Sequence, residues 1–74
     1  MKGVILDAIS EQNNMFISDL RDASANLYII QTLRDTKWQL YDIKECNYAL
    51  SYIFDRKLTF TEYGEIVDFI NSIY

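Results

Sequence analysis

The chain has 74 residues and a formal net charge of −4, and half of its residues are hydrophobic, including six tyrosines. This length predicts one domain over residues 1–74, because domains commonly run from about 50 to 200 residues. The acidic balance argues against direct binding to nucleic acid or to an anionic membrane surface, and the lack of an apolar run of about 18 residues excludes a predicted membrane span.

A single cysteine, Cys46, and the absence of histidine limit the chemistry further. One thiol cannot form an intrachain disulfide, and the usual nitrogen and sulfur ligands of zinc are missing. Without histidine, the chain lacks the commonest general base. We therefore predict no enzyme activity, no metal and no cofactor. The lone thiol and the lack of a signal-peptide pattern favour the cytoplasm.

The first apolar cluster predicts a short helix that ends at Asn13 and Asn14, since asparagine tolerates the left-handed conformation of a helix stop. Its apolar residues are Val4, Ile5, Ala8 and Ile9. The segments VILDAI and LYIIQTL are rich in β-branched and aromatic residues. A strand in either place is therefore the alternative to a helix.

The second predicted helix runs from about Met15 to Leu33, with Asn14 or Ser18 as its cap. Its apolar residues repeat at steps of four and three, which is the spacing of one helical face. They are Phe16, Leu20, Ala23, Leu27 and Ile30.

The third predicted helix has two competing starts. Thr36 with Gln39 and Asp42 with Glu45 each have the spacing of a capping box, which places the start near residue 37 or near residue 43. The earlier start is favoured, with a bend near Asp42. The helix ends at residues 55–57, where two bases suit the negative end of the helix dipole. Its core stripe is Ile43, Cys46, Leu50, Ile53 and Phe54.

The last helix has the clearest predicted start. Thr59 and Glu62 have the spacing of a capping box, and Leu58 and Tyr63 that of a hydrophobic staple, so the helix is expected to begin at Phe60. From there to the end of the chain, apolar and acidic residues occupy opposite sides. The apolar side comprises Tyr63, Ile66, Val67, Ile70, Ile73 and Tyr74.

These segments predict an all-α bundle of three or four helices, with an α+β fold as the alternative. Cys46 lies on an apolar stripe and is expected to be a buried small hydrophobe. The other expected core residues are Ile5, Ile9, Phe16, Leu20, Leu27, Ile30, Leu33, Trp38, Ile43, Leu50, Ile53, Phe54, Phe60, Val67, Ile70 and Ile73.

Two surfaces are candidate partner-binding sites. Tyr41, Tyr48 and Tyr52 fall on the side of the third predicted helix opposite its core stripe. They either pack between helices or form an exposed contact strip, and tyrosine is enriched where interfaces concentrate their energy.

The acidic side of the last helix is the second candidate. It carries Glu62, Glu65 and Asp68, with Phe69 at the border of the apolar side. Such a face is either simply solvated or a docking site for a basic protein surface.

We predict that the protein binds another protein and inhibits or regulates it, with a basic nucleic-acid-binding surface as the natural target of an acidic competitor. Small regulators of mobile elements are one such setting, by analogy of size and composition, since no motif identifies a family. The alternative is a structural homo-oligomer held by the tyrosine strip.

Overall fold

The computed structural model of the protein covers residues 3–73, apart from the side chains of residues 23–27. Four α-helices follow one another: α1 (Val4–Gln12), α2 (Ala23–Asp35), α3 (Ile43–Phe54) and α4 (Tyr63–Ile73). Two short 3-10 helices, Ile17–Arg21 and Trp38–Leu40, lie in the connections. No strand occurs within residues 3–73, so the all-α prediction is confirmed and the strand alternative for VILDAI and LYIIQTL is wrong.

Helix α1 ends where the sequence predicts. Asn13 is the residue that ends the helix, and its side chain donates a hydrogen bond to the carbonyl oxygen of Ile9 (2.9 Å). Asn14 follows in the left-handed region with φ 53°. The same Asn13 side chain reaches the hydroxyl of Thr32 on α2 (3.2 Å), so the end of α1 is joined to the next long helix.

The second predicted helix is wrong in its first half. A 3-10 helix covers Ile17–Arg21, Asp22 is extended (φ −70°, ψ 133°), and α2 begins only at Ala23. This break changes the helical phase, so a spacing counted across it does not describe one face. Asn14 and Ser18 therefore do not cap α2.

The burial in this region follows the new phase. Leu20, Ile29 and Leu33 are buried, whereas Ile30 is only half-buried. Phe16, which was expected in the core, is exposed. The predicted positions of Ala23 and Leu27 on the core face lie outside the described side chains.

Helix α3 begins at the later of its two predicted starts, so the favoured start near residue 37 is wrong. The side chain of Asp42 caps the helix by accepting a hydrogen bond from the backbone N–H of Lys44 (2.8 Å). The buried Trp38 lies in the second 3-10 helix, and its indole N–H donates to the carbonyl oxygen of Leu33 (3.1 Å). The end is as predicted, with Asp55 left-handed at φ 52°.

Helix α4 begins three residues later than predicted, at Tyr63, and Phe60 lies in a segment without regular secondary structure. Two side chains of α3 bind this segment. Asn47 accepts from the backbone N–H of Phe60 (2.8 Å) and donates to its carbonyl oxygen (3.0 Å). Ser51 binds the N–H and carbonyl oxygen of Leu58 in the same way (2.9 and 3.1 Å).

The spacing of these four hydrogen bonds explains the late start of α4. Residues two apart in an extended chain present their backbone groups to the same side, about 6.6 Å apart. Residues four apart on a helix are separated by about 6 Å along its axis. Asn47 and Ser51 therefore match the backbone groups of residues 60 and 58, and these hydrogen bonds hold the segment outside the helix that the spacing of Thr59 and Glu62 predicts.

The core is made from all four helices and both 3-10 helices. Its buried apolar residues are Ile5, Leu6, Ile9, Leu20, Ile29, Leu33, Trp38, Cys46, Ala49, Leu50, Ile53, Ile66 and Ile70. Among the other predicted core residues, a second group is only half-buried: Ile30, Ile43, Phe54, Phe60 and Ile73. Val67 is exposed, which corrects its prediction, and Leu27 and Tyr74 lie outside the described residues.

Candidate protein-interaction surface

The acidic side of α4 is exposed, but one of its carboxylates, that of Glu65, binds groups at the start of the helix. Glu65 Oε1 accepts hydrogen bonds from the backbone N–H of Thr61 (2.8 Å), the hydroxyl of Thr61 (2.9 Å) and the backbone N–H of Glu62 (3.0 Å). These hydrogen bonds favour the charged form and lower the pKa of Glu65. Glu65 thus caps α4, while Glu62 and Asp68 are exposed carboxylates beside it.

Phe69 belongs to a half-buried aromatic cluster that the sequence does not indicate. Its ring lies 5.2 Å from that of Phe54 in an edge-to-face arrangement and 5.4 Å from that of Phe60. The guanidinium of Arg56 lies over the Phe69 ring at 5.3 Å. The guanidinium of Arg56 therefore lies at the border of the acidic side, and most of the Phe69 side chain is buried against other residues of the chain.

The three tyrosines do not form the predicted row. Tyr41 precedes α3 in an extended conformation, so its angle on that helix has no meaning, and its carbonyl oxygen accepts a hydrogen bond from the hydroxyl of Tyr63. Tyr52 is half-buried beneath the guanidinium of Arg21, 4.8 Å from the ring centre. Tyr48 is the most open of the three, at 43% exposed.

Three other large apolar side chains are far more exposed, and the apolar periodicity did not indicate them as surface residues. Phe16, Tyr28 and Leu40 are 79%, 77% and 75% exposed. For Phe16 the sequence did indicate exposure, because Asn13 and Asn14, shortly before it, were predicted to end a helix. A residue two positions beyond a helix stop lies in a turn, where helical periodicity does not determine burial.

Phe16 projects from a connection whose backbone is held by hydrogen bonds. The N–H of Met15 donates to the carbonyl oxygen of Ser10 (2.9 Å), and the carbonyl oxygen of Phe16 accepts from the N–H of Asp19 (3.0 Å). These bonds tie the backbone of Met15 to α1 and the backbone of Phe16 to the first 3-10 helix. The ring is thereby presented from a defined backbone position rather than from an unconstrained loop.

Phe16 lines a shallow depression of about 380 Å³. We call it the Phe16 depression, and its lining residues are Ser10, Glu11, Asn14, Met15, Phe16 and Asp19. Glu11 and Asp19 are exposed, and within the described part of the chain no lining residue is basic. The surface therefore combines an accessible aromatic ring and a thioether with two negative charges.

The chemistry of the described residues offers little else. Burial raises the pKa of the Cys46 thiol to about 11, and its Sγ lies 3.5 Å from the carbonyl oxygen of Trp38. A buried thiol with this pKa is protonated near neutral pH and is a poor nucleophile. Residues 3–73 contain no group of three or more potential metal ligands, and no helix among them has the length and apolarity needed to cross a membrane.

No family model, curated protein or solved structure matches the chain.

Proposed function

We propose that the protein is a small, acidic, non-enzymatic binding module that inhibits or regulates another protein by covering a basic surface of it. The observation that carries this proposal is the position of Phe16, which is 79% exposed and lines the same depression as the exposed residues Glu11 and Asp19. An aromatic anchor beside negative charge suits a partner surface in which lysine or arginine surrounds an apolar residue.

The aromatic ring would supply most of the affinity. Full burial of a phenylalanine side chain contributes about 1.5–3 kcal/mol relative to leaving it in water. The folded chain leaves most of that contribution unused at Phe16, because the ring is open to solvent. A partner that covers the Phe16 depression would gain it, and aromatic residues at the centre of a protein interface are typical hot spots.

The carboxylates would supply orientation and selectivity. Glu11 and Asp19 can pair with guanidinium or ammonium groups of the partner, and an arginine can also stack on the Phe16 ring. With a net charge of −4, the chain as a whole attracts a basic protein and repels phosphate. A basic surface that binds nucleic acid is thus the target class that we propose, with no direct contact between this chain and nucleic acid.

The surfaces predicted from the sequence would contribute less to binding in this proposal. Glu62 and Asp68 remain candidates for steering a basic partner, and Tyr48 remains a candidate contact. Tyr41, Tyr52 and Phe69 are half-buried and already contact residues of their own chain. The setting that we propose is the cytoplasm, where a single reduced thiol is normal.

The first experiment identifies a partner and then measures its affinity for matched variants. The intact chain is used to capture proteins, and the dissociation constant of the purified partner is measured for the wild type, Phe16→Ser and Tyr28→Ser. Phe16→Ser should weaken binding by about 30-fold, since a hot-spot residue is worth about 2 kcal/mol or more. Tyr28→Ser removes an equally exposed ring elsewhere and should change the affinity less than about threefold.

A salt series tests the role of the charges. Affinity should fall as ionic strength rises, because exposed charges are screened over about 10 Å at 0.1 M salt and over about 3 Å at 1 M. The double variant Glu11→Gln with Asp19→Asn should flatten this dependence. Binding that is insensitive to salt, or that depends on Tyr28 rather than Phe16, would contradict the proposed surface.

A further inference from the structure

A second candidate surface lies on another side of α1, between this helix and the connection from α2 to α3. It is a groove of about 290 Å³, which we call the α1 groove, with Ile5, Ile9 and Tyr41 among the apolar residues that line it. Leu40 stands at the groove with three quarters of its side chain exposed. An exposed apolar side chain thus lies at a groove whose lining is both apolar and polar.

The rim of this groove carries charges of both signs, unlike the Phe16 depression. Asp35 and Lys37 both line the groove and are exposed. Asp35 Oδ1 accepts one hydrogen bond, from Gln31 Nε2 (3.1 Å), which leaves the carboxylate on the surface. A strongly basic partner is disfavoured by Lys37, and a strongly acidic one by Asp35.

We infer that the α1 groove is occupied by a second copy of this chain, in a two-fold dimer. In a two-fold contact the same patch meets itself, so a surface must be complementary to its own rotated image. This patch can satisfy that condition twice: Leu40 of each copy can enter the groove of the other, and Lys37 of each copy can face Asp35 of the other. Self-complementarity in both shape and charge is what distinguishes a second copy from other occupants.

The small size of the domain is a physical reason to expect such a contact. A core of this size is expected to supply roughly 3–5 kcal/mol, and small domains are commonly reinforced by disulfides, metals or association. With one cysteine, the chain cannot form an intrachain disulfide. Burying Leu40 in a dimer would add apolar burial that a single copy lacks, and unfolding would then depend on concentration.

Sedimentation equilibrium of the intact wild-type chain, at concentrations up to about 1 mM, measures the association. We expect a reversible monomer–dimer equilibrium in the wild type. Leu40→Ser should raise the dimer dissociation constant by about 30-fold, as expected for a central apolar anchor. Tyr28→Ser, which changes an equally exposed side chain outside the groove, should leave it within about threefold.

Two charge variants test the two-fold geometry itself. Lys37→Asp places like charges opposite each other and should raise the dimer dissociation constant by about fivefold, since exposed charge pairs are worth up to about 1 kcal/mol. Adding Asp35→Lys to the same chain exchanges the two signs and should restore the wild-type constant, because each copy again faces its complement. Circular dichroism checks that every variant is folded.

A wild-type chain that stays monomeric over this range would overturn the inference, and so would a dimer that Leu40→Ser leaves intact. A dimer in which the double charge variant is as weak as Lys37→Asp would show a different arrangement and would also overturn it. Phe16→Ser should not affect dimerisation. The inference and the proposed function therefore succeed or fail separately.

Discussion

The connection between α1 and α2 and the connection between α3 and α4 begin alike. Each contains a residue with a positive φ close to the helix end, Asn14 at 53° and Asp55 at 52°, and each then carries a phenylalanine. Phe60 in the second connection is half-buried, with its ring 5.4 Å from Phe69. Phe16 in the first connection is exposed. The same kind of residue in the same kind of connection thus has two different environments.

The difference comes from the helix beside each connection. Asn47 and Ser51 of α3 bind the backbone of residues 58 and 60, which holds Phe60 against α4. Around Phe16 the backbone hydrogen bonds are local, to Ser10 and Asp19. The comparison teaches that an apolar residue in a loop is buried only where a neighbouring element both satisfies the backbone and offers an apolar surface.

The largest effect should come from truncating the two phenylalanines. Phe60→Ala should lower the free energy of unfolding by about 2–3 kcal/mol, because it removes half-buried apolar surface and an aromatic contact. Phe16→Ala should change it by less than about 0.5 kcal/mol, as is usual for an exposed side chain. Urea unfolding followed by circular dichroism measures both variants. Equal losses would show that the two connections are not different in the way described.

A smaller loss is expected when the hydrogen bonds of the second connection are removed. Asn47→Ala should lower the free energy of unfolding by about 1.5 kcal/mol, since it leaves the N–H and carbonyl groups of Phe60 without their partner. Exchange of the Phe60 amide hydrogen should become faster in the same variant. Gln39→Ala, at an exposed position, is the control. An unchanged Phe60 amide would mean that Asn47 does not hold the segment.

The smallest effect concerns Glu65 and depends on pH. The pKa of this carboxyl is lowered from 4.5 in the folded chain, so its contribution to stability is present above the unfolded pKa and is lost as the pH falls through the folded value. Glu65→Gln should therefore be less stable than the wild type at neutral pH, and the difference should shrink in acid.

Thermal unfolding of the wild type and Glu65→Gln across the acidic range measures this difference. Asp68→Asn removes another carboxylate of α4 and serves as the control for a general change in charge. A gap between the wild type and Glu65→Gln that stays constant from neutral pH to acid would contradict the capping role of this side chain.

Local signals predicted the parts of the fold that local interactions determine. The end of α1 at Asn13, the cap at Asp42 and the end of α3 at Asp55 each depend on a residue and its immediate neighbours. Sequence alone could locate them, because capping side chains bind backbone groups only two or three residues away. The choice between the two starts of α3 was not made by these local signals, which favoured the earlier start, whereas the chain forms a 3-10 helix at Trp38–Leu40 and begins α3 at Ile43.

The candidate interaction surfaces were harder to predict. The tyrosine row assumed one continuous helix from residue 37, so the later start of α3 removed Tyr41 from the row. The core position of Phe16 assumed one helix across Asp22, where the chain is extended. In both cases the periodicity was measured across a break, and an angle on a helix has meaning only within that helix.

From its sequence alone, the chain is determined to be acidic, free of histidine, limited to one thiol and helical in most of its length, because composition and short-range spacing carry that information. Only the tertiary structure decided that α4 starts at Tyr63, that Phe60 packs inward and that Phe16 and Leu40 stay in contact with water. Those outcomes depend on which side chains of distant residues reach a given backbone group or apolar surface. Such contacts are set by the packing of the helices and not by the spacing of residues along them.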